Sequence, residues 1–163
     1  TRLSYTALGD GVNLAARLEP LCKQYGVHVL VSEDIVAQAK AAYRFRLLDR
    51  VAVKGKQRGI EIYELLGPLS AGDTAGAQGA TSPHTDPPGS HQALPDDALA
   101  HAHRAYAEAF SAYQARDFAT AAALLQSHTS IDPPSAVLAA RCRALAAAPP
   151  PSDWDGVHVA QSK

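Results

Sequence analysis

The spacing of the large apolar residues changes from segment to segment along this chain, and the changes mark out its elements. A short β-like run, Leu3 to Leu8, leads into a turn carrying Gly9 and Gly11, with Asp10 placed to cap a helix. Leu14, Leu18, Leu21 and Tyr25 then recur every three or four residues, which predicts a helix from about Gly11 to Tyr25 with one face in the core. The β-branched run Val27 to Val31 reads as a strand. Ser32, followed by Glu33 and Asp34, opens a second helix to about Ala42. Two extended runs follow, Tyr43 to Val53 and Ile60 to Leu66, joined by the basic turn Lys54 to Gly59. Strands interleaved with helices and closed by a hairpin predict an α/β or α+β sandwich with its helices on one face.

The pattern then stops. Residues 69 to 95 are mostly Gly, Pro, Ser, Thr and Ala with almost nothing to bury, the composition of a flexible linker. Beyond it, Tyr106, Phe110, Tyr113, then Phe118, Ala121, Leu124 and Leu125 fall at helical spacing, predicting two antiparallel helices that turn at Arg116 and Asp117. The Asp117-Phe118-x-x-Ala121 spacing followed by Asp132-Pro133 resembles one tetratricopeptide repeat, with a third helix from Pro134 to about Ala147. A single copy falls short of the roughly three units that stacked repeats need to bury a core. The tail, residues 149 to 163, carries the lone Trp154, which is expected to tie it back onto the helices. The domain reading is thus residues 1–68, a linker 69–95, a helical region 96–148 and a tail 149–163.

Composition narrows the function. With 163 residues, 47% hydrophobic content and a net charge of -1, the chain can form one full domain or two small ones. The balanced charge excludes a general nucleic-acid surface, which needs a basic stripe. No apolar stretch approaches the roughly 20 residues of a membrane-spanning helix, and the first residues lack the order of a secretory signal. Cys22 and Cys142 are far apart with no CxxC spacing, which disfavours a disulfide scaffold or zinc site and fits a reducing, cytoplasmic setting. The sequence contains no Met, so it is expected to be a fragment.

The chemistry concentrates in Tyr5-Thr-Ala-Leu-Gly-Asp-Gly-Val-Asn-Leu-Ala-Ala-Arg-Leu-Glu19. Asn13 and Arg17 lie four residues apart and so share a helix face, away from the apolar stripe. A guanidinium held by a packed helix offers a rigid fork to phosphate oxygens, and an amide can hydrogen-bond a sugar or base without adding charge. The stretch resembles the signature of class III adenylate and guanylate cyclases, in which a strand, glycine turn and helix carry a tyrosine, a base-reading residue, an asparagine and an arginine in this order. The resemblance spans residues 1 to 66 or so and implies an α+β fold, the C-terminal half of a ferredoxin-like cyclase catalytic domain. It also implies conversion of ATP to 3′,5′-cyclic AMP and pyrophosphate, with Mg2+ or Mn2+ bound by aspartates upstream of this segment.

In that family the site forms across a dimer, so the implied partners are ATP and a second cyclase protomer. Asn13 would orient the ribose and Arg17 would stabilise charge on the α-phosphate. Thr6 falls where the family reads the purine, and a hydroxyl that donates and accepts satisfies adenine. Lys54, in Val53-Lys-Gly-Lys56, matches the family's lysine for the terminal phosphates; Lys56 and Arg58 read equally well as a solvated turn. Gly11 replaces the commoner threonine, and Pro20 is a candidate for a kink beyond Arg17.

Competing motifs fail on spacing. Gly9 to Leu14 lacks the third glycine of a dinucleotide fingerprint, and no Walker lysine follows. His101 and His103, two apart on a helix, face different ways and are poor metal ligands. The rival from another class is a catalytically inactive cyclase-homology module for dimerisation or regulation, whose helical tail binds a protein partner. A scaffold, however, needs none of Thr6, Asn13, Arg17 and Lys54.

Overall fold

Helix α1 (Asp10–Tyr25) opens the described part of the computed structural model, which covers residues 10–52, 59–69 and 96–159. The strand expected at Leu3 to Leu8, Thr6 within it, the turn bearing Lys54 and most of the linker lie outside those residues. The expected stripe is the buried side of α1: Leu18, Leu21 and Tyr25 are buried and Leu14 packs against them. Pro20 sits inside the helix, which continues through it. Gly11 differs from its expected role of relieving a turn. It lies in the first helical turn, is absent from the positive-φ glycines, and a Cβ there would meet nothing within 4 Å.

The end of α1 explains why the next strand starts late. Gly26 adopts φ +67°, and the Val27 amide donates back to the Cys22 carbonyl at 3.0 Å, the six-to-one closure of a left-handed helix cap. The residues after it are consumed in this cap and turn, so β1 is Leu30–Ser32 rather than the whole run from Val27. Helix α2 (Glu33–Ala39) follows and stops short of Ala42, whose carbonyl instead accepts from the Leu69 amide at 2.9 Å. Strands β2 (Tyr43–Ala52) and β3 (Ile60–Pro68) are antiparallel neighbours, and β1 pairs with β3 on the other side.

Helix α3 (Asp96–Gln114) and helix α4 (Phe118–Leu125) form the expected antiparallel pair, followed by a 3-10 turn and helix α5 (Pro133–Ala147). Arg116 makes the turn at φ 65°, a left-handed backbone uncommon for a side chain of its size. Its guanidinium donates to the carbonyls of Pro150 and Pro151 at 2.6 and 2.8 Å and lies over the Trp154 ring. Asp117 caps α4 by accepting from the Thr120 amide, and Asp132 caps α5 by accepting from the amide and hydroxyl of Ser135.

Trp154 stands edge-on to Tyr113 and Phe118, with ring centroids 5.2 and 5.5 Å away. The tail then adds an element the sequence did not suggest. Strand β4 (His158–Val159) runs parallel to the end of β2, completing a four-stranded sheet of order β1-β3-β2-β4.

The described fold is therefore mixed α+β, with one four-stranded sheet and five α-helices. Its buried residues form one cluster, in which Leu18, Tyr25, Leu48 and Ile62 of the α/β part pack with Tyr106, Tyr113, Leu125 and Leu138 of the helices. The register of β2 slips between Leu47 and Asp49, leaving Leu48 outside the one-to-one pairing. Residues three apart in an unbroken strand point to opposite faces. Across this bulge, Arg46 and Asp49 both reach α5, and the Leu48 carbonyl accepts from the Tyr106 hydroxyl at 2.7 Å.

Candidate active site

Asn13 and Arg17 project from adjacent turns of α1, and both are exposed. Their helix is held from its other side, where Tyr25 is almost wholly buried and Leu18 and Leu21 are at 5% and 6% exposure. An exposed polar pair on a helix anchored this way can meet a ligand without unpacking the core. Asp10 is the first residue of the helix, but its side chain, like Thr6 and Lys54, falls outside the described part.

Two clefts border the described residues. One of about 690 Å³ opens between the sheet and the ends of α3 and α5, with Arg44, Arg46, Glu64, His103 and Asp132 in its wall. The other, about 470 Å³ and mostly apolar, runs between α1 and the β1–α2 segment, past Leu14, Cys22, Val29 and Ile35. Neither is lined by Asn13 or Arg17. The structure keeps those two together and apart from both clefts.

Behind the pair lies a buried polar junction. The Tyr25 hydroxyl at the end of α1 donates to Asp49 Oδ2 on β2. Arg141 on α5 donates from Nη1 to the same oxygen at 2.5 Å and from Nη2 to the Tyr25 hydroxyl at 3.0 Å. Asp49 Oδ1 accepts the Arg50 amide at 2.8 Å. Burial, then the Asp49 charge, drives the Tyr25 phenol far above its usual range, so it remains a donor. For Arg141 burial works against the cation, but Asp49 together with the Tyr25 and Tyr113 hydroxyls more than offsets it and the guanidinium stays charged.

A second junction joins the same layers. Arg46 donates to Glu64 at 2.6 Å and to Asp132 at 2.7 Å while its guanidinium stacks on Tyr106. Burial would raise the Asp132 carboxyl, but hydrogen bonds from Arg46 and Ser135 hold it below the ordinary carboxylate range. Sequence reasoning missed both junctions. The available signals were a carboxylate inside the apolar run Leu47-Leu-Asp-Arg-Val51 and an arginine in an alanine-rich helix.

Among the described residues, no three His, Cys, Asp or Glu side chains come together to hold a metal ion. Asp49 is committed to Tyr25 and Arg141, and Asp34 is exposed on α2. The described residues do not fit a divalent-cation site. Nor is any helix among them long and apolar enough to cross a membrane.

Over 76 residues the chain is 46% identical to Adenylate cyclase 1 of Rhizobium meliloti, a match covering 47% of this chain and 11% of that protein. It is 43% identical over 68 residues to Adenylate cyclase of Anabaena cylindrica, covering 40% of this chain and 14% of the relative. The chain is related to adenylate cyclases. A third such relative, the terminal-differentiation specific adenylate cyclase of Dictyostelium discoideum, is 41% identical over 68 residues, covering 40% of this chain and 3% of that protein. The chain thus spans a small part of the adenylate cyclases it matches, at most 14% of their length. No family model and no solved structure matches it.

Proposed function

We propose that this chain is part of a class III adenylate cyclase, and that residues 1–68 supply the asparagine-arginine half of a site completed by a second protomer. In the proposed reaction, the ribose 3′-oxygen attacks the α-phosphorus of ATP as the bond to the bridging oxygen of the β-phosphate breaks. Pyrophosphate leaves, and the 3′-proton is lost to solvent or a base. Asn13 orients the ribose, and Arg17 offers its fork to the α-phosphate oxygens as negative charge builds on them. Thr6 reads the adenine edge and Lys54 faces the terminal phosphates.

The observation that carries this reading is an asparagine and an arginine, one turn apart and exposed, on a helix anchored from behind. The sequence relationship to adenylate cyclases supports it. Mg2+ or Mn2+ would be held by carboxylates outside the described residues, in keeping with a site shared between protomers. In this reading the enzyme works in the cytoplasm, residues 69–95 serve as a linker, and the tetratricopeptide-like helices of residues 96–148 and the tail support the catalytic part.

Cyclic AMP formation tests the proposal. The 163-residue chain with manganese and ATP is expected to give no turnover, because it lacks an assignable carboxylate pair. Robust turnover would show the division between protomers to be wrong. In the complete enzyme, Arg17→Ala is expected to lower kcat by about 100-fold or more with KM for ATP little changed, the loss typical of one transition-state donor. Equal losses in binding and turnover would remove the transition-state role.

A further inference from the structure

Tyr25 ends the helix that carries Asn13 and Arg17, and its hydroxyl ties that helix to both the sheet and α5. Arg17 lies eight residues before it, about 12 Å along the axis at 1.5 Å per residue. A tilt of about 5° around the Tyr25 end therefore moves Arg17 by about 1 Å, a misplacement that can cost on the order of 100-fold in rate. Pro20 lies between them and has no N–H to donate, so one backbone hydrogen bond of the helix is missing along this lever. Gly26 presses directly on Pro133 at the start of α5, where an added Cβ would come within 2.6 Å. The turn that ends α1 is thus seated against the Pro133 ring of α5, in addition to the buried junction.

We propose that Tyr25, Asp49 and Arg141 are positioning residues, through which the helical region holds α1 at the angle that presents Asn13 and Arg17 to the nucleotide. This rests on the cyclase reading for its catalytic consequence, while the mechanical link does not. Arg141 spans the layers because Asp49 is brought by the bulge at Leu48 to the face where α5 lies. Tyr113 of α3 stacks beneath the Arg141 guanidinium at 5.7 Å, so α3 shares in fixing its direction. The helical tail is then a working part of the catalytic scaffold, and disturbing its seat would detune turnover from a distance.

Tyr25→Phe is the informative variant, since it deletes one oxygen and leaves the ring in the core and the Arg141–Asp49 pair intact. Amide hydrogen exchange in the full chain is expected to quicken about tenfold over residues 17–25 and to stay within about twofold in α5, as loss of a buried hydrogen bond predicts. In the complete enzyme kcat is expected to fall about tenfold while KM for ATP stays within about twofold. Arg141→Lys should retain more turnover than Arg141→Gln at matched folded fraction, because it keeps a charge for Asp49.

Unchanged exchange in α1, or quickened exchange with unchanged kcat, overturns the positioning role. Arg17→Ala keeps the two ideas separable. If it leaves turnover intact, the cyclase reading fails whatever Tyr25→Phe does; if it abolishes turnover while Tyr25→Phe is silent, only the positioning role fails.

Discussion

His103 illustrates how far one side chain's surroundings can move its chemistry. It lines the larger cleft on α3, where burial and then the nearby Arg46 charge push its pKa down to about 4, with Asp132 opposing and Arg44 adding. Unfolded, the same imidazole titrates near 6.5. Between those values the unfolded chain takes up a proton that the folded chain refuses, so stability drops as pH falls through this window. His103→Gln is therefore expected to flatten the decline of urea-unfolding stability between about pH 6.5 and pH 4. Parallel curves for the two proteins would mean that the histidine is not held neutral. Sequence alone pointed at His103 only as a poor metal ligand, because the arginine that depresses it lies 57 positions earlier, on β2.

At the scale of elements, local pattern was a good guide wherever neighbours in sequence decide the outcome. The apolar stripe of α1, the hairpin strands and the turn between α3 and α4 follow from spacing and from cap or turn residues within a few positions. Even the return of Trp154 to the helices could be read, since a lone large aromatic in a polar tail seeks a core. What spacing could not show was the bulge in β2, the strand β4 and the two junctions, each of which depends on partners brought together by the tertiary fold. The Asn13–Arg17 pair was legible because a helix face follows from sequence separation; Thr6 and Lys54 lie outside the described residues. Trp154→Ala is expected to destabilise the chain by about 2 to 3 kcal/mol, somewhat under the cost for a fully buried aromatic. Loss of exchange protection in β4 should accompany it, and a variant as stable as the parent would show that the aromatic contact holds nothing.

For the whole molecule, the shared core means that neither half buries its apolar surface alone. Leu48 and Tyr25 of the α/β part are closed over by Tyr106, Tyr113 and Leu138 from the helices. Small chains bury too little area to spare such a wall, because folding leaves only a few kcal/mol after conformational entropy is met. Residues 1–69 made alone are therefore expected to lack cooperative thermal unfolding and dispersed amide resonances. A well-folded 1–69 polypeptide would show that the helices decorate a self-sufficient unit. The same logic bears on the chain's tolerance of change, because the bulge at Leu48 makes the number of residues in β2 matter alongside their identities. Deleting Leu48 would restore an even pleat and leave Arg46 and Asp49 two apart on one face, but it would remove a fully buried side chain and the carbonyl that accepts from Tyr106. The strand therefore bears the loss of this one residue less easily than a change of letter outside its ion pairs and core contacts.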